Sequence, residues 1–265
     1  MAHSLGTILA HDLISYFWAE RETARKIREN TQEFDALCAL ETAAARVDVA
    51  HPNETELTQY YDAQRELRVA LASRTAPPAV VPPGQSLPDP RWLTSDLVTL
   101  GSPLAHAEFL IAASKDDLEE RKSARELPQS PPVREELDPK VFACARTTGA
   151  LPVGVTEDTS KLISFPPPGA GNVWELHHAA PFAAVRWTNI YDPAMLVFCG
   201  DLIGGPLAPV FGPAIIDVNL KKLRGQSYSF THTKYWELDS EPKHIEALRA
   251  AVNLLDLPGV DPNKV

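Results

Sequence analysis

Ala2-His3-Ser4-Leu5-Gly6, running on into Thr7-Ile8-Leu9-Ala10-His11-Asp12-Leu13-Ile14, is the stretch from which the rest of the chain is read. A serine stands here between two small residues at the mouth of a run whose apolar positions, Ile8, Leu9, Leu13, Ile14 and Phe17, recur at helical spacing. A hydroxyl presented on a sharp strand-to-helix turn needs small neighbours, because backbone comes close on both sides, and Ala2 and Gly6 meet that need. Such a turn leaves the N–H of Leu5 at a helix N-terminus, where the partial positive charge favours an oxyanion. The pattern predicts a first helix from Gly6 to about Arg28, with Glu20, Arg21, Glu22 and Arg25 on its outer turns.

The 265 residues suffice for one α/β domain with an insertion or for two small domains. An apolar fraction of 44% and a charged fraction of 23% are those of a globular chain, and no run approaches the roughly 18 apolar residues of a membrane span. The net charge of −10, with no cluster of Lys and Arg, argues against a nucleic-acid partner. Cys38, Cys144 and Cys199 are odd in number and widely spaced, which fits neither a disulfide framework nor a zinc motif. They read as inert thiols in a reducing, cytoplasmic compartment, and no metal or other cofactor is expected.

Beyond the first helix, Phe34 to Val49 reads as a second helix, and Asn53 caps a third through Tyr60, Leu67, Val69 and Leu71. Together, residues 34–75 form a helical insertion that either caps the site or packs on the outside. The proline-dense stretch 76–90 reads as a linker. Leu97-Val98-Thr99-Leu100 is a short buried strand ending in the turn Gly101-Ser102-Pro103, with a helix carrying Leu104, Phe109, Leu110 and Ile111 beyond it. Asp116 to Lys140 reads mostly as a solvated excursion, and Val141 to Gly171 has no assignable period. Ala184 to Tyr191 is a β-branched and aromatic strand stopped by Asp192-Pro193. A glycine-rich loop, Gly200 to Leu207, a last strand Ser227 to Phe230, and a helix from Pro242 to Leu255 with His244, Leu248, Val252 and Leu255 facing inward complete the chain.

A serine hydroxyl becomes a useful nucleophile when a histidine removes its proton and an acid holds that histidine. The order Ser, acid, His is available here. Of eight histidines, His232, just past the predicted last strand, is best placed, with His178 next. His3 and His11 are too close in sequence to Ser4 to reach round easily, His51 abuts a turn, and His106 and His244 lie on helical patterns. On spacing alone, Asp192 and Asp201 are equal candidates for the acid.

Five ordered blocks resemble a group of bacterial lipase-like α/β-hydrolases: Ala2-His3-Ser4-Leu5-Gly6-Thr7, Val98-Thr99-Leu100-Gly101-Ser102-Pro103-Leu104, Arg186 to Tyr191, Gly200-Asp201 through Gly205-Pro206-Leu207, and Phe230-Thr231-His232-Thr233-Lys234-Tyr235-Trp236. They span about nine-tenths of the chain. The resemblance implies that Ser4 is the nucleophile of an elbow, Asp201 the acid in preference to Asp192, His232 the base and Leu5 N–H one oxyanion donor. It implies an ester-cleaving serine hydrolase acting on a small-molecule carboxylic ester, on the C-terminal part of an α/β-hydrolase fold with three parallel strands. A complete fold has further strands before its elbow. The reading frame is therefore expected to be cut short or to start at an internal Met, or the open edge of Leu97–Leu100 to be completed by an edge-strand partner or a homo-oligomer. The alternative is a hydrolase-derived fragment or binding module without catalysis. An N-terminal-nucleophile enzyme is disfavoured, since removal of Met1 exposes Ala2.

Overall fold

The computed structural model describes residues 1–22, 25–74, 91–132, 135–136, 161–165, 172–194, 200–224, 232–236 and 242–264. In chain order, β1 (Ala2–His3) leads through Ser4 into α1 (Gly6–Glu22). After β2 (Ile27–Arg28) come α2 (Gln32–Arg46) and α3 (Glu54–Ala72). β3 (Asp96–Leu100) is followed by a short 3₁₀ turn, Pro103–His106, then α4 (Ala107–Leu110) and α5 (Lys115–Ser123). Four short strands follow, β4 (Glu135–Glu136), β5 (Lys161–Leu162), β6 (Ser164–Phe165) and β7 (Val173–Leu176), and then β8 (Arg186–Tyr191). The chain closes through α6 (Ala208–Phe211), β9 (Ile216–Asn219), α7 (Leu220–Arg224) and α8 (Pro242–Val252).

The protein is thus mixed α/β, built on a parallel four-stranded sheet in the order β1-β3-β8-β9. A smaller sheet, β2-β7-β6, is antiparallel, and β4 pairs with β5. Period-two alternation sends Leu97 and Trp187 to one face, under α1, and Val98, Leu100, Ile190 and Val218 to the other, under Ala247 and Ala251 of α8. Register is locked at the start of the central pair, where Asp96 lies opposite Arg186 and accepts its Nε–H at 2.7 Å. α1 is fastened by Trp18, which is fully buried edge-on to Trp92 with ring centroids 5.0 Å apart, and whose indole N–H donates to the His177 carbonyl. Truncating such a tryptophan costs about 3–5 kcal/mol.

α2 and α3 are capped by Thr31 and Asn53, whose side chains accept from the N–H of Phe34 and Glu56. They pack against each other, and α3 docks on the segment leading into β8. Tyr60 Oη and Gln64 Nε2 each donate to the Phe182 carbonyl at 2.7 Å, and Arg68 donates to the Ala184 carbonyl. Buried carbonyls left unpaired would cost about 1–3 kcal/mol each, so α3 supplies what the turn Pro181–Ala183 cannot. This anchor lies at the entry to β8, the opposite end of the strand from Asp192.

Several sequence expectations are corrected. α1 stops at Glu22 rather than Arg28, and Ile27–Arg28 joins the small sheet. The inward side of α1 is Thr7, His11 and Trp18, while Leu9, Leu13 and Phe17 face solvent. Its apolar residues run all round the helix, so period alone could not choose a face. The main sheet has four described strands, because Ala2–His3 pairs with Thr99–Leu100 and covers part of the edge expected to be open. β9 escaped the sequence reading because Asp217 and Asn219 break its apolar run. The strand expected at 227–230 lies outside the described residues, as do 76–90, Cys144 and Cys199. α5 arises within the supposed solvated excursion: Ser114 caps it by accepting from the N–H of Asp117, and Leu118 buries in the core although its neighbours on the helix are mostly charged. The last helix ends at Val252, leaving Leu255 exposed.

Candidate active site

β1 delivers Ser4 to the C-terminal edge of the sheet. Ser4 has φ 52°, the left-handed region that a non-glycine residue enters only when its surroundings compel it. Its N–H donates to the Leu100 carbonyl at 3.1 Å, and its carbonyl accepts from Thr7 N–H at 2.9 Å and Thr7 Oγ1 at 2.7 Å. These bonds clamp the turn from β3 and from the first turn of α1. Thr7 Oγ1 lies 2.7 Å from Ser102 Oγ, linking the turn to the loop after β3. Leu5 carries the first N–H beyond the turn, at a helix start whose early N–H groups no intrahelical carbonyl can reach.

Ser4 Oγ lies 2.9 Å from His232 Nε2, and His232 Nδ1 is 3.0 Å from each carboxylate oxygen of Asp201. An ionised carboxylate only accepts, so the Nδ1 proton points at Asp201 and Nε2 is left to receive the Ser4 proton. The three residues come from positions 4, 201 and 232 and meet only through the sheet. Asp201 follows β8 by way of Pro193, with which it forms a parallel bridge, and its N–H donates to the Asp192 carbonyl at 2.9 Å.

Burial by itself would push the Asp201 carboxyl up. Donors outweigh it: Tyr235 Oη at 2.6 Å, His232, and the N–H groups of Ile203 and Gly204 hold it below the ordinary carboxylate value. Tyr235 is itself buried, and burial followed by the neighbouring Asp201 charge pushes its phenol far up, so it stays a donor. Two glycines make this cradle possible. A Cβ at Gly101, where φ is +52°, would sit 2.5 Å from Asp201 Oδ2 and 2.7 Å from the Tyr235 ring, and one at Gly204 would lie 2.8 Å from the same oxygen.

The other candidates fall elsewhere. Asp192 is buried, and its main chain braces both Asp201 and Tyr235, since its N–H donates to Tyr235 Oη at 3.3 Å. His178 is exposed. His11 is buried among Phe182, Trp187 and Phe211, and His244 is buried on α8. Two residues at the site were missed by sequence reasoning. Tyr235 stands three positions after His232, and that short spacing within one polar-aromatic block is the signal that could have found it. His3, set aside as too near Ser4, has Nε2 2.6 Å from the His232 carbonyl and packs edge-on against Trp236 with centroids 4.6 Å apart. Adjacency to Ser4 is what brings it there, because β1 runs under the loop that carries His232.

Among the described residues, no group of His, Cys, Asp and Glu side chains is gathered to hold a metal, and no helix is long and apolar enough to cross a membrane. No family model, curated protein or solved structure matches the chain.

Proposed function

We propose that this protein is a serine hydrolase of the α/β-hydrolase type, similar to the bacterial lipase-like group, and that it cleaves carboxylic esters through an acyl-enzyme. The observation that carries the reading is the unbroken chain from Ser4 Oγ through the His232 imidazole to Asp201, with Ser4 held at positive φ. The parallel order β1-β3-β8-β9, with nucleophile, acid and base appearing in the order Ser, Asp, His, supports it.

In this mechanism Ser4 Oγ attacks the ester carbonyl while His232 Nε2 takes its proton. The carbonyl oxygen becomes an oxyanion facing Leu5 N–H at the positive end of α1. Asp201 holds the Nδ1 proton and steadies the imidazolium without itself being protonated. His232 then returns the proton to the departing alkoxide as the C–O bond breaks, leaving the acyl group on Ser4. Water attacks the acyl carbon, gives its proton to His232, and releases the carboxylic acid as Ser4 is reprotonated. No step requires a cofactor.

The test is covalent labelling with a fluorophosphonate followed by peptide mapping, alongside turnover of short p-nitrophenyl esters. The expected result is a single label on Ser4, lost in the Ser4→Ala and His232→Ala chains. A folded protein that neither labels at Ser4 nor turns over any ester overturns the proposal.

A further inference from the structure

We propose that His3 is a positioning residue: its imidazole N–H, carried on the strand residue next to Ser4, holds the main chain of His232 and so sets the reach between nucleophile and base. This rests on the reading of Ser4 and His232 as nucleophile and base, and it deepens that reading by assigning a neighbour that takes no proton in the reaction.

His3 is the last residue of β1, where it pairs with Leu100, and the N–H of Ser4 then donates to the Leu100 carbonyl at 3.1 Å. In an extended chain, successive side chains leave on opposite faces. The left-handed turn at Ser4, with φ 52°, breaks that alternation, and both side chains reach one residue. Ser4 Oγ lies 2.9 Å from His232 Nε2, while His3 Nε2 lies 2.6 Å from the His232 carbonyl oxygen. His232 is thus gripped at its ring by Ser4 and at its main chain by the residue before Ser4. A carbonyl oxygen only accepts, so the second grip needs a proton on His3 Nε2.

His232 stands in a turn rather than in a helix or strand, so side-chain ties decide where its ring sits. A reacting group has to be held within about 0.5 Å of its productive place. The bonds from Nδ1 to Asp201 tie the ring to the loop after β8. His3 ties the same residue to β1, the strand that carries Ser4. Groups anchored on separate elements drift apart when those elements shift, whereas groups anchored on adjoining residues keep their spacing. A misplacement of about 1 Å costs on the order of 100-fold in rate, which sets the scale of the effect. The His3 ring is also packed, with its centroid 4.8 Å from that of His232 and 4.6 Å from that of Trp236, which it meets edge-on. Bonding and packing are separable, because Phe keeps a ring without the N–H and Gln keeps an N–H of similar reach without the ring.

The first measurement is NMR of the wild type with isotope-labelled histidine, the His3 signals being assigned by their loss in His3→Phe. His3 is expected to carry its proton on Nε2, and a His3 protonated only at Nδ1 overturns the proposal whether or not any variant folds. The low-field proton between His232 Nδ1 and Asp201, assigned by its loss in His232→Ala, is expected to broaden in His3→Phe and to stay sharp in His3→Gln. The rate of fluorophosphonate labelling at Ser4, and kcat for a p-nitrophenyl ester, are expected to fall by about 10- to 100-fold in His3→Phe with KM nearly unchanged, and His3→Gln is expected to rescue both to within about threefold. A role in packing alone predicts the reverse order. Equal behaviour of the two variants, or a His3→Gln chain worse than His3→Phe, overturns the proposal. A wild type that neither labels nor turns over ester defeats the hydrolase reading instead, and the tautomer of His3 and the low-field proton then decide the tie to His232 by themselves.

Discussion

The loop Gly200 to Leu207 meets an aspartate near each end, buried Asp201 within it and half-buried Asp217 on β9, and the two carboxyls are shifted in opposite directions. At its start Asp201 receives a phenol, an imidazole and two backbone N–H groups, and its carboxyl is held low. At its finish Asp217, reaching in from β9, receives the N–H groups of Leu207 and Ala208 and the amide of Asn189. Burial there outweighs those donors and pushes the carboxyl up. The difference lies in the partners. Asp201 faces an imidazole that can become a cation, whereas among the described residues Asp217 meets the neutral donors Asn189, Leu207 and Ala208. Asp217 fastens α6 and the loop to β8, where Asn189 also donates to the Gly205 carbonyl at 3.0 Å, and so holds steady the loop that presents Asp201.

The sharpest way to break this contrast is to remove the chemistry proposed for it. Under the proposed mechanism, Ser4→Ala is expected to lower ester turnover by about 10⁶-fold, with no change in the urea midpoint. Asp201→Asn should lower kcat by about 10⁴-fold, because the amide turns the imidazole to the wrong tautomer. Asp192→Asn, by contrast, should leave kcat within about tenfold, since Asp192 braces the site through its main chain. Equal losses from the two would dissolve the distinction between Asp201 and Asp192.

Tyr235→Phe removes the oxygen that accepts from Asp192 N–H and, with it, the charge-assisted hydrogen bond to Asp201. A bond of that kind is worth about 1.5–3 kcal/mol, so kcat should fall by about 10- to 100-fold with KM nearly constant, as Tyr235 is buried behind Asp201. Asp217→Asn should leave kcat within about threefold and instead lower stability by about 1–3 kcal/mol in urea, because one backbone N–H loses its acceptor. Activity loss here, with stability intact, would reverse the roles given to the two ends of the loop.

The smallest effect is in pH. Asp201 titrates below the ordinary carboxyl value of 3.8, so its ionised form stabilises the fold above that pH, and the contribution disappears as pH falls through the folded-state value. Asp217 titrates above 3.8, so between that value and its raised one the folded state binds the extra proton. Its contribution to stability therefore grows as pH falls from neutral toward 3.8. Urea titrations across that window should show the Asp217→Asn chain lacking this gain, while Asp201→Asn retains it.

Local physics made part of this legible. A small-Ser-x-Gly turn before a helix, a strand of β-branched and aromatic residues ending in Asp192-Pro193, and Asn53 before a helical run each carry their signal within a few residues. The structure has an element at each place. The inner face of α1 was not legible, because apolar residues surround the helix and only contact with Phe182, Trp187 and Phe211 selects Thr7, His11 and Trp18. β9 was hidden for the opposite reason. Its central Asp217 looks like a loop residue until the N-terminal N–H groups of α6 arrive to satisfy it.

By itself, then, the sequence determined an α/β chain with a serine poised on a tight turn, two possible acids and one favoured histidine. Tertiary structure decided which aspartate meets that histidine: Asp201, beyond the end of β8, lies 3.0 Å from His232 Nδ1, and Gly101 at the end of the neighbouring β3, with Gly204, leaves room for its carboxylate. It also brought in Tyr235 and His3, whose roles depend on neighbours far along the chain from β1 and β8. Spacing along a sequence encodes local geometry, whereas a hydrogen bond between residues 4 and 232 exists only once a sheet has closed the distance.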